Sequence, residues 1–206
     1  MTMDILASSP LNTSTQPKVN FDSYFVTQDA FARAVEKGNM YAVANQAGVT
    51  SQAGLSATTP VLTLANPAGS GVTGRLWMAA AQLEVASAAA ASVWVAVGTN
   101  TIAAVVTGTL TTAHRNLKLG GQNAQGNKVV PFLAATLPAA PVAIDLLGLG
   151  LTGAITTVPA LSPMVKWYNG GILIQPGVNL SVQTSTASGT NSMLCAYIWE
   201  EVSLIS

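Results

Sequence analysis

The C-terminal stretch of residues 171–202 constrains the fold more than any other part of the chain. Its first apolar run ends at Pro176 and Gly177, a pairing that favours a tight turn. Residues 180–186 then alternate between apolar and polar, which is the period of a strand with one buried face. Residues 193–199 follow as a strand that is apolar on both faces, which predicts an interior position in a two-layer β structure. Since the links between these segments are short, they predict an antiparallel meander.

The rest of the chain after residue 56 repeats this texture of short β-type runs separated by glycine and proline. A hairpin through residues 88–91 is predicted to join two of these strands, and Pro131 predicts that its own strand lies at a sheet edge. The further candidate strands are residues 61–64, 75–87, 92–97, 101–111, 129–133 and 164–168. The fold class predicted from about eight such strands is mainly β, an antiparallel β-sandwich of the jelly-roll kind.

The first 55 residues differ from the remainder and are predicted to form an N-terminal arm with one short helix. Seven of the sixteen charged residues lie here, and the beginning is rich in Ser, Thr and Pro, as poorly ordered segments are. Thr27 is predicted to cap a helix that closes at Lys37 and Gly38. The predicted organisation is therefore an arm over residues 1–55 and a sandwich over residues 56–206.

The arm carries a group of aromatic residues with no visible strand partner. They are Phe21, Tyr24, Phe25 and Phe31. One hypothesis is that they anchor the arm on another subunit or on a larger shell, as segments that order on binding do. The other, given equal weight, is that they fold back onto their own sandwich.

Charge is scarce throughout the chain. Charged residues make up 8% of the sequence, where ordinary proteins carry about 25%. A membrane helix is not expected, because prolines and glycines interrupt the most apolar region, residues 137–164, and the first residues lack a signal-peptide pattern. The net charge is zero without a basic run, so neither nucleic acid nor an anionic membrane surface is expected as a partner. Two explanations for the low charge remain: burial of the surface against protein partners, or a surface covered by hydroxyl and amide groups.

Residues capable of catalysis are few and scattered. His114 lies in a polar connection and is interpreted as a solvated side chain. Asp145 is isolated in an apolar stretch, so a buried hydrogen-bonded role is favoured over a functional one. Glu200 and Glu201 are expected to end the sheet and face water, and Cys195 to be a core residue. No metal-ligand cluster or phosphate-binding loop is recognisable, so the chain is predicted not to be an enzyme and to use no cofactor and no metal.

The tryptophans each fall in a predicted strand. They are Trp77, Trp94, Trp167 and Trp199. Core packing is the expected role for all four. A sugar-stacking platform is the alternative, and it requires at least one of them to be exposed.

Several short motifs resemble small virion proteins of tailed phages. They are Asn-Pro-Ala-Gly-Ser-Gly at 66–71, Ile-Gln-Pro-Gly-Val-Asn-Leu-Ser-Val at 174–182, the run at 184–187, and Trp-Glu-Glu-Val at 199–202. Some of those proteins are jelly-roll capsid decoration or cement proteins that sit as trimers on the head. The resemblance spans about residues 61–202 and implies a homotrimer that binds between subunits of the major capsid protein and stabilises the head. It further implies synthesis in the host cytoplasm and a location on the capsid surface of the virion.

Two other functions stay open at the level of sequence. One is a tail-associated or receptor-binding β-sandwich module that grips a host glycan, with the polar connection at residues 112–128 as its candidate surface. The other is an enzyme that uses Asp145 and His114. Low charge, a β core and the absence of paired cysteines favour the virion protein, because a subunit surrounded by its own copies needs few ions on its surface.

Overall fold

The computed structural model describes most of the sandwich and parts of the N-terminal region. The described residues are 18–19, 25–26, 29–50, 54–85, 91–101, 105–111, 113–119, 127–150, 163–185 and 192–204. The strands are β1 Lys18–Val19, β2 Phe25–Val26, β3 Met40–Ala44, β4 Leu62–Asn66, β5 Val72–Val85, β6 Ala91–Thr99, β7 Thr107–Leu110, β8 Arg115–Asn116, β9 Val130–Thr136, β10 Val142–Gly150, β11 Met164–Ile174, β12 Val178–Thr184 and β13 Ser192–Ser203. One α-helix, α1 Ala30–Glu36, lies among them.

Two antiparallel sheets form the sandwich. The six-stranded sheet has the order β10-β6-β12-β4-β9-β7, and the five-stranded sheet has the order β11-β5-β13-β3-β8. Four pairings are nested: β3 with β13, β4 with β12, β5 with β11, and β6 with β10. Because the chain folds back on itself in this way and alternates between the sheets, the topology is that of a jelly roll. The predicted mainly β sandwich is therefore confirmed.

The pairing predicted for the terminal strands is wrong. β11 and β13 belong to the five-stranded sheet, whereas β12 between them belongs to the six-stranded sheet. The predicted hairpin from β5 to β6 is wrong for the same reason, since the two strands lie in different sheets. A link of a few residues crosses the roughly 10 Å between facing sheets as readily as it turns within one. Link length therefore does not reveal which sheet the next strand joins.

The predicted edge position of Pro131 is also wrong. Its strand, β9, lies between β4 and β7. The carbonyl of Pro131 accepts a hydrogen bond from the backbone N–H of Thr111, one residue beyond the end of β7. Since the nitrogen and carbonyl of a strand residue point to the same side, the missing N–H falls where the β7 ladder has already ended. Proline is tolerated here without interrupting the pairing to β4.

The short helix is present, and the sheet begins earlier than the predicted boundary. The helix cap is Asp29 rather than Thr27, since its side chain accepts a hydrogen bond from the backbone N–H of Phe31 at 3.4 Å. β3 falls inside the predicted arm, but it pairs with β13 and β8 in the five-stranded sheet. The sandwich thus includes residues from Met40 onward. Residues 1–17 lie outside the described part.

The core lies between the two sheets and is filled from both. Its largest fully buried side chains are Trp199, Tyr197, Leu62, Leu64, Leu76, Ile174, Leu180 and Met193. Met40, also fully buried, packs instead with Ala34 and Trp77 in a separate cluster. Full burial of one such side chain contributes about 1.5–3 kcal/mol. Cys195 packs in the same core, where burial raises the pKa of its thiol, so the prediction of a core cysteine is confirmed.

The strand β12 is buried on both faces, although its sequence predicts one polar, exposed face. Ser181 and Gln183 are as inaccessible as the apolar residues between them. The Gln183 amide donates to the Ser56 carbonyl at 3.2 Å and to the Ser181 hydroxyl at 3.1 Å. Residues before β4 therefore cover the outer face of this sheet, and the polar side chains are satisfied by hydrogen bonds rather than by water.

Glu201 also differs from its prediction, because it is buried instead of facing water. Only 8% of the residue is exposed. Its carboxylate accepts hydrogen bonds from the backbone N–H groups of Lys128 and Val129 at 2.9 Å and from the Trp199 indole at 3.3 Å. The carboxylate joins the end of β13 to the start of β9.

Candidate functional site

The structure draws attention to one side of the sandwich, which we call the lateral edge. It is formed by β10 and β11, which are the terminal strands of their respective sheets. Apolar side chains on the outward faces of both strands are between 46% and 66% exposed. They are Val142, Ile144 and Leu146 of β10, and Val165, Trp167 and Leu173 of β11. Stripes of exposed apolar side chains of this kind, one on each sheet, indicate a site of protein or ligand contact.

The inward side of the lateral edge is closed by a polar group of three residues. The Asp145 carboxylate accepts hydrogen bonds from the Lys166 ammonium and from the Tyr168 hydroxyl, each at 2.7 Å. Burial raises the pKa of Asp145, but these two hydrogen bonds, the positive charge of Lys166 and a backbone hydrogen bond from Leu146 together outweigh it and hold the pKa below its usual value. Burial and the same contact raise the pKa of Tyr168. The hydrogen-bonded role favoured for Asp145 fits this geometry, and the group leaves no charge on the outward faces of the two strands.

The backbone along the lateral edge is irregular. The register of β10 shifts between Ala143 and Asp145 and again between Leu146 and Gly148. In β11 the register shifts between Trp167 and Ile172, where Asn169 and Gly170 have φ of 51° and 79°. Two consecutive left-handed residues are typical of a tight turn, as the Asn-Gly pair predicts. Since bulges interrupt ladder extension, a partner at this edge meets side chains rather than a continuous row of backbone groups.

Next to the lateral edge lies a depression of about 560 Å³, which we call the aromatic cleft. It is lined by Asp29, Ala30, Phe31, Trp77, Trp167 and Asn169. The Phe31 ring lies 5.3 Å from the Trp77 ring and 6.3 Å from the Trp167 ring, at 74° to both. Trp77 is 8% exposed and forms the floor, whereas Trp167 is 54% exposed and forms a wall. Helix α1 is held here because Ala34 and Phe31 pack with Trp77.

The structure places the four aromatic residues of the predicted arm as follows. Phe31 is half-buried and contacts the tryptophans of its own sandwich. Phe25 belongs to β2, where its backbone pairs with Val19, and its side chain is not described. Phe21 and Tyr24 lie outside the described residues. The contacts of Phe31 therefore correspond to the hypothesis in which the aromatic residues pack on their own sandwich.

Trp167 is the functional candidate that the sequence prediction missed. Trp77 and Trp199 are core residues as predicted, and Trp94 is half-buried. Trp167 faces outward because β11 is the last strand of its sheet and Lys166 and Tyr168 point inward to Asp145. No local signal reveals this, because Lys166 and Tyr168 have polar tips and their face would ordinarily be assigned to solvent, which leaves Trp167 on the buried face.

The residues considered for catalysis are not brought into one constellation. His114 precedes β8, and its Nδ1 atom donates to the Thr111 carbonyl at 2.8 Å. Asp145 lies in β10 with Lys166 and Tyr168 as partners. Within the described ranges, no group of three or more His, Cys, Asp or Glu side chains is arranged to hold a metal ion. No helix among the same residues has the length and apolarity needed to cross a membrane.

The fold places the chain in the jelly-roll class of β-sandwiches. No protein family model matches the chain, and neither a curated protein nor a solved structure matches it significantly.

Proposed function

We propose that this chain is a non-enzymatic structural protein of a tailed-phage virion, a capsid decoration or cement protein that binds between capsid subunits. The observation that carries the proposal is the lateral edge, where two neighbouring terminal strands both present apolar side chains to the outside. A sheet edge with this composition promotes aggregation unless a partner covers it. The motifs at 66–71 and 174–182 resemble those of phage virion proteins, and this resemblance supports a phage capsid as the partner.

The geometry of the lateral edge allows one subunit to contact two neighbours, one on each side. The apolar residues of β10 lie on the outside of one sheet and those of β11 on the outside of the other. A partner on each side therefore buries one stripe. Such contacts between non-equivalent surfaces close into a ring when the rotation between subunits permits. That the ring has three members is what the resemblance to trimeric decoration proteins implies.

The size of the apolar stripes indicates what the assembly requires. Full burial of an apolar side chain contributes about 1.5–3 kcal/mol, and these six are already about half-buried, so burying the remainder supplies about 4.5–9 kcal/mol in all. Association alone costs at least about 4 kcal/mol in lost motional freedom. The stripes thus support a weak pairwise contact. Stable attachment needs each subunit to engage neighbours on both sides or to add contacts with the capsid.

Two charge substitutions test the proposal. Ile144→Lys places an ammonium in the β10 stripe and Val165→Lys places one in the β11 stripe, while Thr109→Lys on the exposed strand β7 is the matched control. We expect the wild-type chain and the control to sediment at three times the 21.0 kDa chain mass and to bind virions stripped of the protein. We expect both edge variants to sediment as monomers and to lose virion binding. A wild-type chain that is monomeric at micromolar concentration and has no affinity for the particle would refute the proposal.

A second candidate, a tail-associated or receptor-binding module, is favoured by the exposed Trp167 in the aromatic cleft. Quantitative mass spectrometry of purified virions separates the two. Many copies spread over the head indicate a decoration protein, and a few copies per particle indicate a tail component.

A further inference from the structure

We propose that the aromatic cleft is a carbohydrate-binding site that accepts one neutral hexopyranose residue of a glycan. The cleft shares Trp167 with the β11 stripe of the lateral edge, whereas its floor and its other wall come from β5 and α1. A sugar and a neighbouring subunit therefore compete for this side chain, and the site is open wherever the β11 stripe is not covered.

Stacking on Trp167 is the first part of the argument. One face of a hexopyranose ring carries C–H groups with partial positive charge, and the face of an indole ring is negative. Trp167 is 54% exposed, and its contact with Phe31 is edge-to-face at 6.3 Å. Phe31 in turn rests on the buried Trp77 at 5.3 Å. The exposed indole is thus supported by a rigid aromatic group, so little side-chain freedom is lost when a sugar stacks on it.

Polar groups at the rim of the cleft supply the hydrogen bonds that a sugar requires. Asp29 offers carboxylate oxygens to sugar hydroxyls, and among the described residues its carboxylate accepts the long 3.4 Å hydrogen bond from the Phe31 N–H. The Asn169 amide both donates and accepts, and within the described part of the chain it has no hydrogen-bond partner. Asn169 is held at the rim by the left-handed turn with Gly170, which lies against Trp77. One acceptor and one donor–acceptor beside an indole match neighbouring hydroxyls of a pyranose.

The charge and size of the cleft select a neutral ligand. Among the described residues that line it, Asp29 is the only charged one, so a sulfated or sialylated sugar has no cation to meet there and is repelled by the carboxylate. The volume of about 560 Å³ falls in the range of small-ligand sites, about 300–1,000 Å³. A single hexopyranose fits with its neighbours in the glycan pointing to solvent.

The experiment titrates the full-length chain with maltotriose, cellotriose, chitotriose and a β-galactotriose by calorimetry and tryptophan fluorescence, with sialyllactose as the anionic probe. We expect binding of at least one neutral trisaccharide and none of sialyllactose. Trp167→Ala should weaken binding by about tenfold or more, since it removes the stacking surface. Asn169→Gly preserves the left-handed backbone, removes only the amide, and should weaken binding several-fold.

The controls separate the cleft from assembly and from folding. Leu173→Ala changes another half-exposed residue of β11 that does not line the cleft, and it should bind sugar like the wild-type chain. Val165→Lys disrupts the lateral edge and should also keep sugar binding, so loss of assembly and loss of binding are observed independently. Acrylamide quenching of the wild-type chain compared with Trp167→Phe reports whether the Trp167 indole is open to solvent.

Three results would overturn the proposal. The first is an absence of binding to every neutral trisaccharide at millimolar concentration. The second is binding that Trp167→Ala leaves unchanged. The third is a Trp167 indole that acrylamide does not reach, because the cleft is then filled by the protein's own chain.

Discussion

Substitution of Glu201 tests the central interaction between the end of β13 and the start of β9. In Glu201→Ala the backbone N–H groups of Lys128 and Val129 and the indole N–H of Trp199 lose their acceptor. Each orphaned buried donor costs about 1–3 kcal/mol, and removal of a buried charge returns part of that, so the expected loss of unfolding free energy is about 3–5 kcal/mol. Glu201→Gln keeps one acceptor oxygen but replaces the other with an NH₂ group, which cannot accept a hydrogen bond from the neighbouring N–H groups. Its expected loss is about 1–2 kcal/mol.

The pH dependence of this loss has a definite sign. Burial raises the pKa of Glu201 above its ordinary value of 4.5, against the opposing effect of the hydrogen bonds from Lys128, Val129 and Trp199. Between 4.5 and the raised pKa, the folded state binds a proton that the unfolded state has released, so stability falls as pH rises through that window. The side chain of Glu201→Gln does not titrate. The stability advantage of the wild-type chain over this variant should therefore be largest below the window and smaller at neutral pH.

Urea unfolding followed by tryptophan fluorescence measures these differences across the acid-to-neutral range. Glu84→Gln is the matched control, since the Glu84 side chain is exposed and its hydrogen bond from Ser192 lies at the surface. Its expected change is within about 0.5 kcal/mol. An advantage of wild type over Glu201→Gln that grows as pH rises would refute the reasoning, because it would mean that hydrogen bonding, not burial, dominates the pKa.

Two further predictions concern polar groups at the margins of the core. Asp145→Asn keeps an acceptor for Tyr168 but loses the charge that pairs with Lys166, whose side chain is 44% exposed, so the expected loss is only about 0.5–1 kcal/mol at neutral pH. Since the pKa of Asp145 is lowered in the folded state, this contribution to stability is present above the ordinary pKa of 3.8 and disappears as pH falls through the folded pKa. Urea unfolding of the variant and the wild type checks this. The two free energies of unfolding should converge in acid, and divergence there contradicts the prediction. Asn66→Ala removes the amide that donates to the carbonyls of Val72 at 2.9 Å and Ile174 at 2.7 Å, and the expected loss is about 2–4 kcal/mol. Thermal unfolding checks it against Gln46→Ala, an exposed amide bonded to a nearby carbonyl, which should change little.

The sequence predicts which residues of a strand share a face, but not which strand lies beside it. The side-chain pattern identified β12 and β13 and the interior position of β13, because side-chain direction has a local period of two. It divided β11 into two strands, because the Asn-Gly pair inside it predicts a turn. The assignment of β12 to the other sheet depends on its pairing with β4 and β6, over 80 residues away in the case of β6, and no local pattern records such partners.

The same limit explains the errors in the candidate site. Trp167 and Trp199 both lie in alternating strands, yet one is 54% exposed and the other fully buried. The difference arises because β11 ends its sheet while β13 lies between β5 and β3. The sequence places Glu201 in solvent because the groups that donate hydrogen bonds to its carboxylate, the backbone N–H groups of Lys128 and Val129, are more than 70 residues away along the chain. Burial of a polar or aromatic residue is decided by such distant contacts.

The two sides of the sandwich, where the sheets end, differ in composition, and the difference favours the lateral edge as the contact surface. The connection between β6 and β10 adds β9 and β7 beyond β4 and adds β8 beyond β3, so it extends both sheets on one side only. The strands that end that side carry mostly polar or small residues, Thr107–Leu110 and Arg115–Asn116. On the other side β10 and β11 end their sheets with apolar residues outward, and the ion pair of Asp145 and Lys166 lies between the two strands, where it is still partly exposed. Because half-exposed apolar side chains gain free energy when they are removed from water, this side rather than the side of β7 and β8 is the one expected to contact a partner.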